Sequence, residues 1–176
     1  MDLTTGKVSN ELVGGEVPKP IRAMIEAAKQ APADAKGSML WAAQQLDPTA
    51  LPIYYLLYKL HASRGELEPA ERAARLGLAE SGRQAGLPVT VDAADGGHGT
   101  AGESVGEVSI PQGVAFDEGA ARFWLFTLKA LVFISVRSGA LPAAQRYLAL
   151  LQRCDPTHSV GGDVTAALVQ SAVERG

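Results

Sequence analysis

The chain has one cysteine, Cys154, in 176 residues, so no disulfide can close within it and a reducing compartment is expected. Three histidines are present, and His98 has no second His or Cys nearby. A metal site needs three or four convergent ligands, so no metal is assigned. No basic run clusters on one segment, and the formal net charge is −3, which argues against nucleic acid as a partner. The sequence opens without a basic-then-apolar leader. Its longest apolar pattern, Phe123 to Val136, is interrupted by Thr127, Lys129 and Ser135 and falls short of the roughly 20 residues that span a bilayer. No nucleophile–base pair and no paired carboxylates on one helix face stand out. The expectation is a soluble cytoplasmic protein that is not an enzyme, has no catalytic residue and needs no cofactor.

What is present is an internal repeat. Ser63-Arg64-Gly65-Glu66-Leu67-Glu68-Pro69-Ala70-Glu71-Arg72 lines up with Arg137-Ser138-Gly139-Ala140-Leu141-Pro142-Ala143-Ala144-Gln145-Arg146, an offset of 74 residues. Gly, Leu, Ala and Arg recur in register, and a long apolar pattern precedes each stretch. Glycine at a tight turn, followed by a small Ala where helices cross, is how helix–turn–helix repeats are built. At 47% apolar residues the chain has ample material for one core.

The predicted organisation is all-α: a flexible tail over residues 1–17, then one helical-repeat domain over 18–176. Pro18 and Pro20 open a helix with Ile21, Met24, Ile25 and Ala28 on one face. A second helix runs from about Ala33 to Leu46, with Met39, Leu40, Ala43 and Leu46 inward, and stops at Asp47-Pro48. Thr49 is expected to cap the third, Ala50 to Ser63, which is apolar nearly all round. Glu66 to Ser81 forms the fourth, packing through Leu67, Ala70, Ala74, Leu76 and Leu78, with Gly82 closing it. Helices resume near Asp117: an apolar one through Phe123–Ile134, a turn at Gly139, and Leu141 to Arg153, stopped by Asp155-Pro156. Val164 to Glu174 reads as a capping helix with Val164, Ala167, Leu168, Ser171 and Ala172 on its packing side.

Residues 83–117 interrupt this pattern and read as a long flexible insertion, with at most a short hairpin across the tract from Asp95 to Gly102. Gly96-Gly97-His98-Gly99 lacks the strand before it and the Gly-Lys-Ser/Thr after it that a phosphate loop needs. His98 with Asp92 and Asp95 is the alternative of another class, a metal-carrier or enzyme site. His61 reads as a core or groove histidine with its hydrogen bonds met, His158 as a helix-end residue and Cys154 as a small apolar residue late in a helix.

Leu125 to Pro156 is similar to a tetratricopeptide repeat, with Leu128, Leu131, Gly139, Ala144, Leu148 and Pro156 at matching places. Leu51 to Gly82 matches at Tyr54, Leu57, Gly65, Ala70 and Ala74, but departs at Tyr58, where the family prefers a tiny residue. Pro18 to Pro48 matches only at Leu40, Ala43 and Pro48. More narrowly, Leu46-Asp47-Pro48, Leu51-Pro52-Ile53-Tyr54, Arg64-Gly65-Glu66-Leu67 and Asp155-Pro156 resemble a group of small repeat proteins encoded among nitrogen-fixation genes, the nitrogenase-associated factor T group. The resemblance implies a non-catalytic accessory factor or chaperone whose partner is a folded protein, with the nitrogenase molybdenum-iron protein as the candidate. A generic repeat adaptor is the alternative within the binding class. In the repeat register Tyr55, Lys59 and Ser63 face a groove from one hairpin, and Phe126, Lys129, Phe133 and Arg137 face it from the other. Aromatic anchors beside basic residues are the composition of a protein-binding surface.

Overall fold

The computed structural model describes residues 17–91 and 108–175. These form seven α-helices and no strand: α1 (Lys19–Gln30), α2 (Ala33–Leu46), α3 (Leu51–Ser63), α4 (Leu67–Ala85), α5 (Gly119–Arg137), α6 (Leu141–Cys154) and α7 (Gly162–Val173). Proline in the first turn pre-sets the helical φ at the start of α1, α3 and α6. Successive helices pack on one another, and α5 is the hub, touching α3, α4, α6 and α7. Its Phe123, Trp124, Leu125, Leu128, Leu131, Val132 and Ile134 are all buried. With 19 residues, α5 is the one described helix long and apolar enough to cross a bilayer, longer than the interrupted pattern implied. Here it is the core helix of a bundle.

The 74-residue repeat holds at the level of hydrogen bonds. In the first turn Gly65 N–H donates to Ala62 O, Glu66 N–H to His61 O, Leu67 N–H to Gly65 O and Ala70 N–H to Glu66 O. In the second, Gly139 donates to Val136 O, Ala140 to Ser135 O, Leu141 to Gly139 O and Ala144 to Ala140 O. Gly65 and Gly139 take φ of 76° and 78°, the left-handed region that a Cβ disfavours. Ala70 and Ala144 are both fully buried where the second helix of each hairpin crosses its neighbour.

Several elements differ from the expectation, each for a local reason. The fourth helix does not close at Gly82 but runs on to Ala85, and Gly86 (φ 66°) ends it. Gly82 is instead a close-approach glycine: a Cβ there would lie 2.5 Å from the carbonyl oxygen of Pro88. That carbonyl accepts a hydrogen bond from Trp124 Nε1 at 2.9 Å. Leu87 and Val91 are buried, and Val108, Ile110, Val114 and Phe116 pack on the core. The span 83–117 is therefore not loose throughout: residues 83–85 belong to α4, while 87–91 and the segment from 108 rest on the bundle. The glycine tract, with His98, Asp92 and Asp95, lies outside the described residues, as does the hairpin considered across it.

Thr49 does not cap α3. Its N–H and Oγ1 both bond Asp47 Oδ1, at 3.0 and 2.6 Å, and Ala50 takes the cap position. Leu46 and Leu76 point to solvent rather than inward, because the buried stripes are Gly37, Leu40 and Ala43 in α2 and Ala70, Ala73, Ala74 and Gly77 in α4. In α7 the buried face is Gly162, Thr165 and Val169, not the Val164–Leu168 side. At Gly162 a Cβ would lie 3.2 Å from His158 Nδ1 and in ordinary contact with the Leu151 side chain, so this edge of α7 rests on α6 and on the loop between them.

Candidate functional site: a cationic and aromatic groove

Side chains three or four positions apart share one helix face. On α3 that spacing aligns Tyr55, Lys59 and Ser63. On α5 it aligns Arg122, Phe126, Lys129, Phe133 and Arg137. The two stripes face a common cavity of about 1110 Å³, and all seven residues expected from the sequence line it. The third wall was not anticipated. It is α7, which presents Val164, Leu168 and Ser171, with Arg175 just beyond. The capping helix thus builds the groove and does not fill it. The apolar side of α7 was legible, but not its direction, since Gly162, Thr165 and Val169 are the residues turned to the core. Arg122 was missed although it lies one turn before Phe126 on the same stripe.

The cations of the groove stack on its aromatics. Lys59 Nζ lies 5.4 Å from the Tyr55 ring centre, Arg122 is 5.3 Å from that of Phe126, and Arg137 is 5.7 Å from that of Phe133. Such contacts hold each charge over a flat apolar face and keep both available at the surface. Arg137 Nη1 also donates to Ala62 O at 2.6 Å, tying the end of α5 to the end of α3. Tyr58 forms part of the floor, edge-on to Tyr55 with centroids 5.5 Å apart. Burial pushes its hydroxyl well above the usual tyrosine range, so it stays neutral.

Lys129 has a different role from its neighbours. Its Nζ donates to Val160 O at 2.6 Å, and it is half-buried. Burial lowers its pKa, while Asp163 pulls the other way. Val160 is held from its other end as well: its N–H donates to Asp155 Oδ2 at 2.9 Å. Ser159 N–H and Thr157 Oγ1 donate to Asp155 Oδ1 at 2.8 and 3.3 Å. Burial alone would raise the Asp155 pKa, but these donors bring it below the ordinary value. Lys129 and Asp155 therefore fix the loop that delivers α7 to the groove, and Lys129 acts on the groove through that loop.

His61 is 8% exposed and lies outside the groove. Trp41 Nε1 donates to its Nε2 at 3.1 Å, so that nitrogen is the acceptor, and Nδ1–H bonds the Glu66 carboxylate. Both ring nitrogens are used, and the histidine joins α2, α3 and the first turn. His158 adopts φ 57° in the loop after α6, and its N–H donates to Asp155 O. Cys154 is half-buried, and burial pushes its thiol pKa up, away from a reactive thiolate. Among the described residues no group of three or more His, Cys, Asp or Glu is placed to hold a metal.

No protein-family model, curated protein or solved structure matches the chain.

Proposed function

We propose that this chain is a non-catalytic, cytoplasmic accessory factor that binds a folded protein through the groove between α3, α5 and α7. The observation that carries the reading is the convergence of Tyr55, Lys59 and Ser63 with Phe126, Phe133 and Arg137 on one cavity whose third wall includes the apolar Val164 and Leu168. At about 1110 Å³ the cavity is at the upper end of the roughly 300–1,000 Å³ range of small-molecule sites and has room for a segment of protein. On the resemblance to the nitrogenase-associated repeat proteins, the partner to test first is the nitrogenase molybdenum-iron protein.

The test is co-elution of the purified chain with that protein in resting and cofactor-deficient forms, repeated with Phe126→Ala and Phe133→Ala. A central aromatic anchor is worth about 2 kcal/mol, so each substitution is expected to weaken binding roughly 30-fold. Failure to bind either form removes nitrogenase as the partner. Binding that survives both substitutions removes the groove as the interface.

A further inference from the structure

We propose that the groove's occupant is an acidic amphipathic α-helix of the partner, with its apolar stripe against Phe126 and Phe133 and its carboxylates met by Arg122 and Arg137. This rests on the protein-binding reading above and adds the chemistry of the bound segment.

Charge is the first argument. The whole chain carries −3, yet the groove is lined by Lys59, Arg122, Lys129, Arg137 and Arg175 and by no Asp or Glu. None of these five is ion-paired among the described residues, whereas Lys29, Arg75 and Arg83 each pair with a glutamate one turn away. A concave surface of one sign with apolar walls attracts the opposite sign and selects for it.

Spacing is the second. Arg122 and Arg137 are 15 residues apart on one straight stripe, about 22 Å at 1.5 Å per residue. The two phenylalanines lie between them. A single-headed anionic amphiphile would satisfy one end only. A helix of about 15 residues offers carboxylates to both ends and an apolar stripe to the centre, the usual geometry of a helix laid in a groove. The opposite wall is ready for the same stripe: Val164 is 67% exposed and Leu168 lines the cavity beside it.

The experiment uses the full chain and fluorescence polarisation with labelled synthetic helices of about 16 residues. One carries Leu along a single face and Glu elsewhere; its twin carries Lys in place of every Glu. The Glu helix is expected to bind at least about tenfold more tightly, with affinity falling as salt is raised. Arg122→Glu with Arg175→Glu, and separately Arg122→Glu with Arg137→Glu, each leave three cations against two carboxylates and are expected to remove most of that preference. Circular dichroism checks that each variant keeps its helix content, and the first pair spares the Arg137 bond to Ala62. Equal binding of the twins, or an unchanged preference in both folded variants, overturns the proposal. So does one-to-one binding of dodecanoate that displaces the Glu helix, or a Phe133-dependent dimer by light scattering, which would give the groove to a lipid tail or a second copy. If neither helix binds while nitrogenase co-elution persists and needs Phe133, this proposal falls and the protein-binding reading stands. If co-elution is also lost, both fall.

Discussion

Aligning Gly65 with Gly139 matches the hairpin α3–α4 to α5–α6 bond for bond at the turn, yet the two hairpins fill their inner faces in opposite ways. After the shared alanine, α4 continues with Ala73, Ala74 and Gly77, while the matching positions of α6 are Tyr147, Leu148 and Leu151. At Gly77 a Cβ would lie 2.8 Å from Tyr54 Cβ and 3.4 Å from Phe123. At Leu151 a whole isobutyl group is buried. The reason is position in the array. The α4 helix is wedged between α3 and the aromatic-rich α5, whose side chains occupy the space. The α6 helix has α5 on one side and only the short α7 on the other, and must supply its own volume. One turn motif thus serves two packing environments, and the inner face is set by the neighbours.

The largest expected effects test that contrast. Leu151→Ala should cost about 2–5 kcal/mol through lost burial and a cavity. Gly77→Ala should cost about 1–3 kcal/mol, because the clashing atom is the Cβ of Tyr54 and cannot swing away. Urea denaturation midpoints would show both. A neutral Gly77→Ala would mean that α3 and α4 can separate freely, and the contrast between the hairpins would lose its basis.

The next effect compares the two Asp-Pro-Thr turns that follow α2 and α6. Asp155 is 4% exposed and receives two backbone N–H groups and a hydroxyl; Asp47 receives the N–H and hydroxyl of Thr49 alone. Asp155→Ala should therefore cost about 1.5–3 kcal/mol, and Asp47→Ala less. The Asp155 pKa is lowered on folding, so its contribution is fully present above the ordinary aspartate value of about 3.9 and is lost as pH falls through the lower folded value. Acid should release the loop carrying α7 before the rest of the bundle. A tryptophan or cysteine probe in α7 that melts together with α3 on acid titration would contradict this order.

Features that depend on the chain a few residues away were legible in the sequence. The turn glycines, the buried alanines after them and the stripes on α3 and α5 all follow from helical spacing, and the groove residues came together as their spacing required. Features decided by what crosses from elsewhere were not. Gly82 reads as a helix stop, since glycine favours that place, but here it makes room for the Pro88 carbonyl. The α7 helix has one face of Val164 and Leu168 and another of Gly162, Thr165 and Val169, and hydropathy prefers the first. Packing on α5 and α6 buries the second and leaves the more apolar face to the groove. Lys129 shares the stripe of Phe126 and Phe133, and spacing alone could not show that the Val160 carbonyl would meet it.

The smallest effects fall at a pair of positions that the repeat equates, His61 and Ser135. Each supplies the carbonyl that closes its turn. The side chains then diverge: His61 has Trp41 and Glu66 as partners, but Ser135 faces Ala140 in place of Glu66, and its buried Oγ has no hydrogen-bond partner among the described residues. Removing His61 strands the Trp41 N–H and loosens α2 from α3, so His61→Ala should cost about 1–2 kcal/mol. Removing the Ser135 hydroxyl strands nothing and deletes a buried polar atom that pays desolvation without return. Ser135→Ala should leave stability within about 0.5 kcal/mol or raise it slightly. A loss above about 1 kcal/mol in Ser135→Ala would mean that the hydroxyl has a partner after all. The two turns would then be alike in their polar anchoring as well as in their backbone.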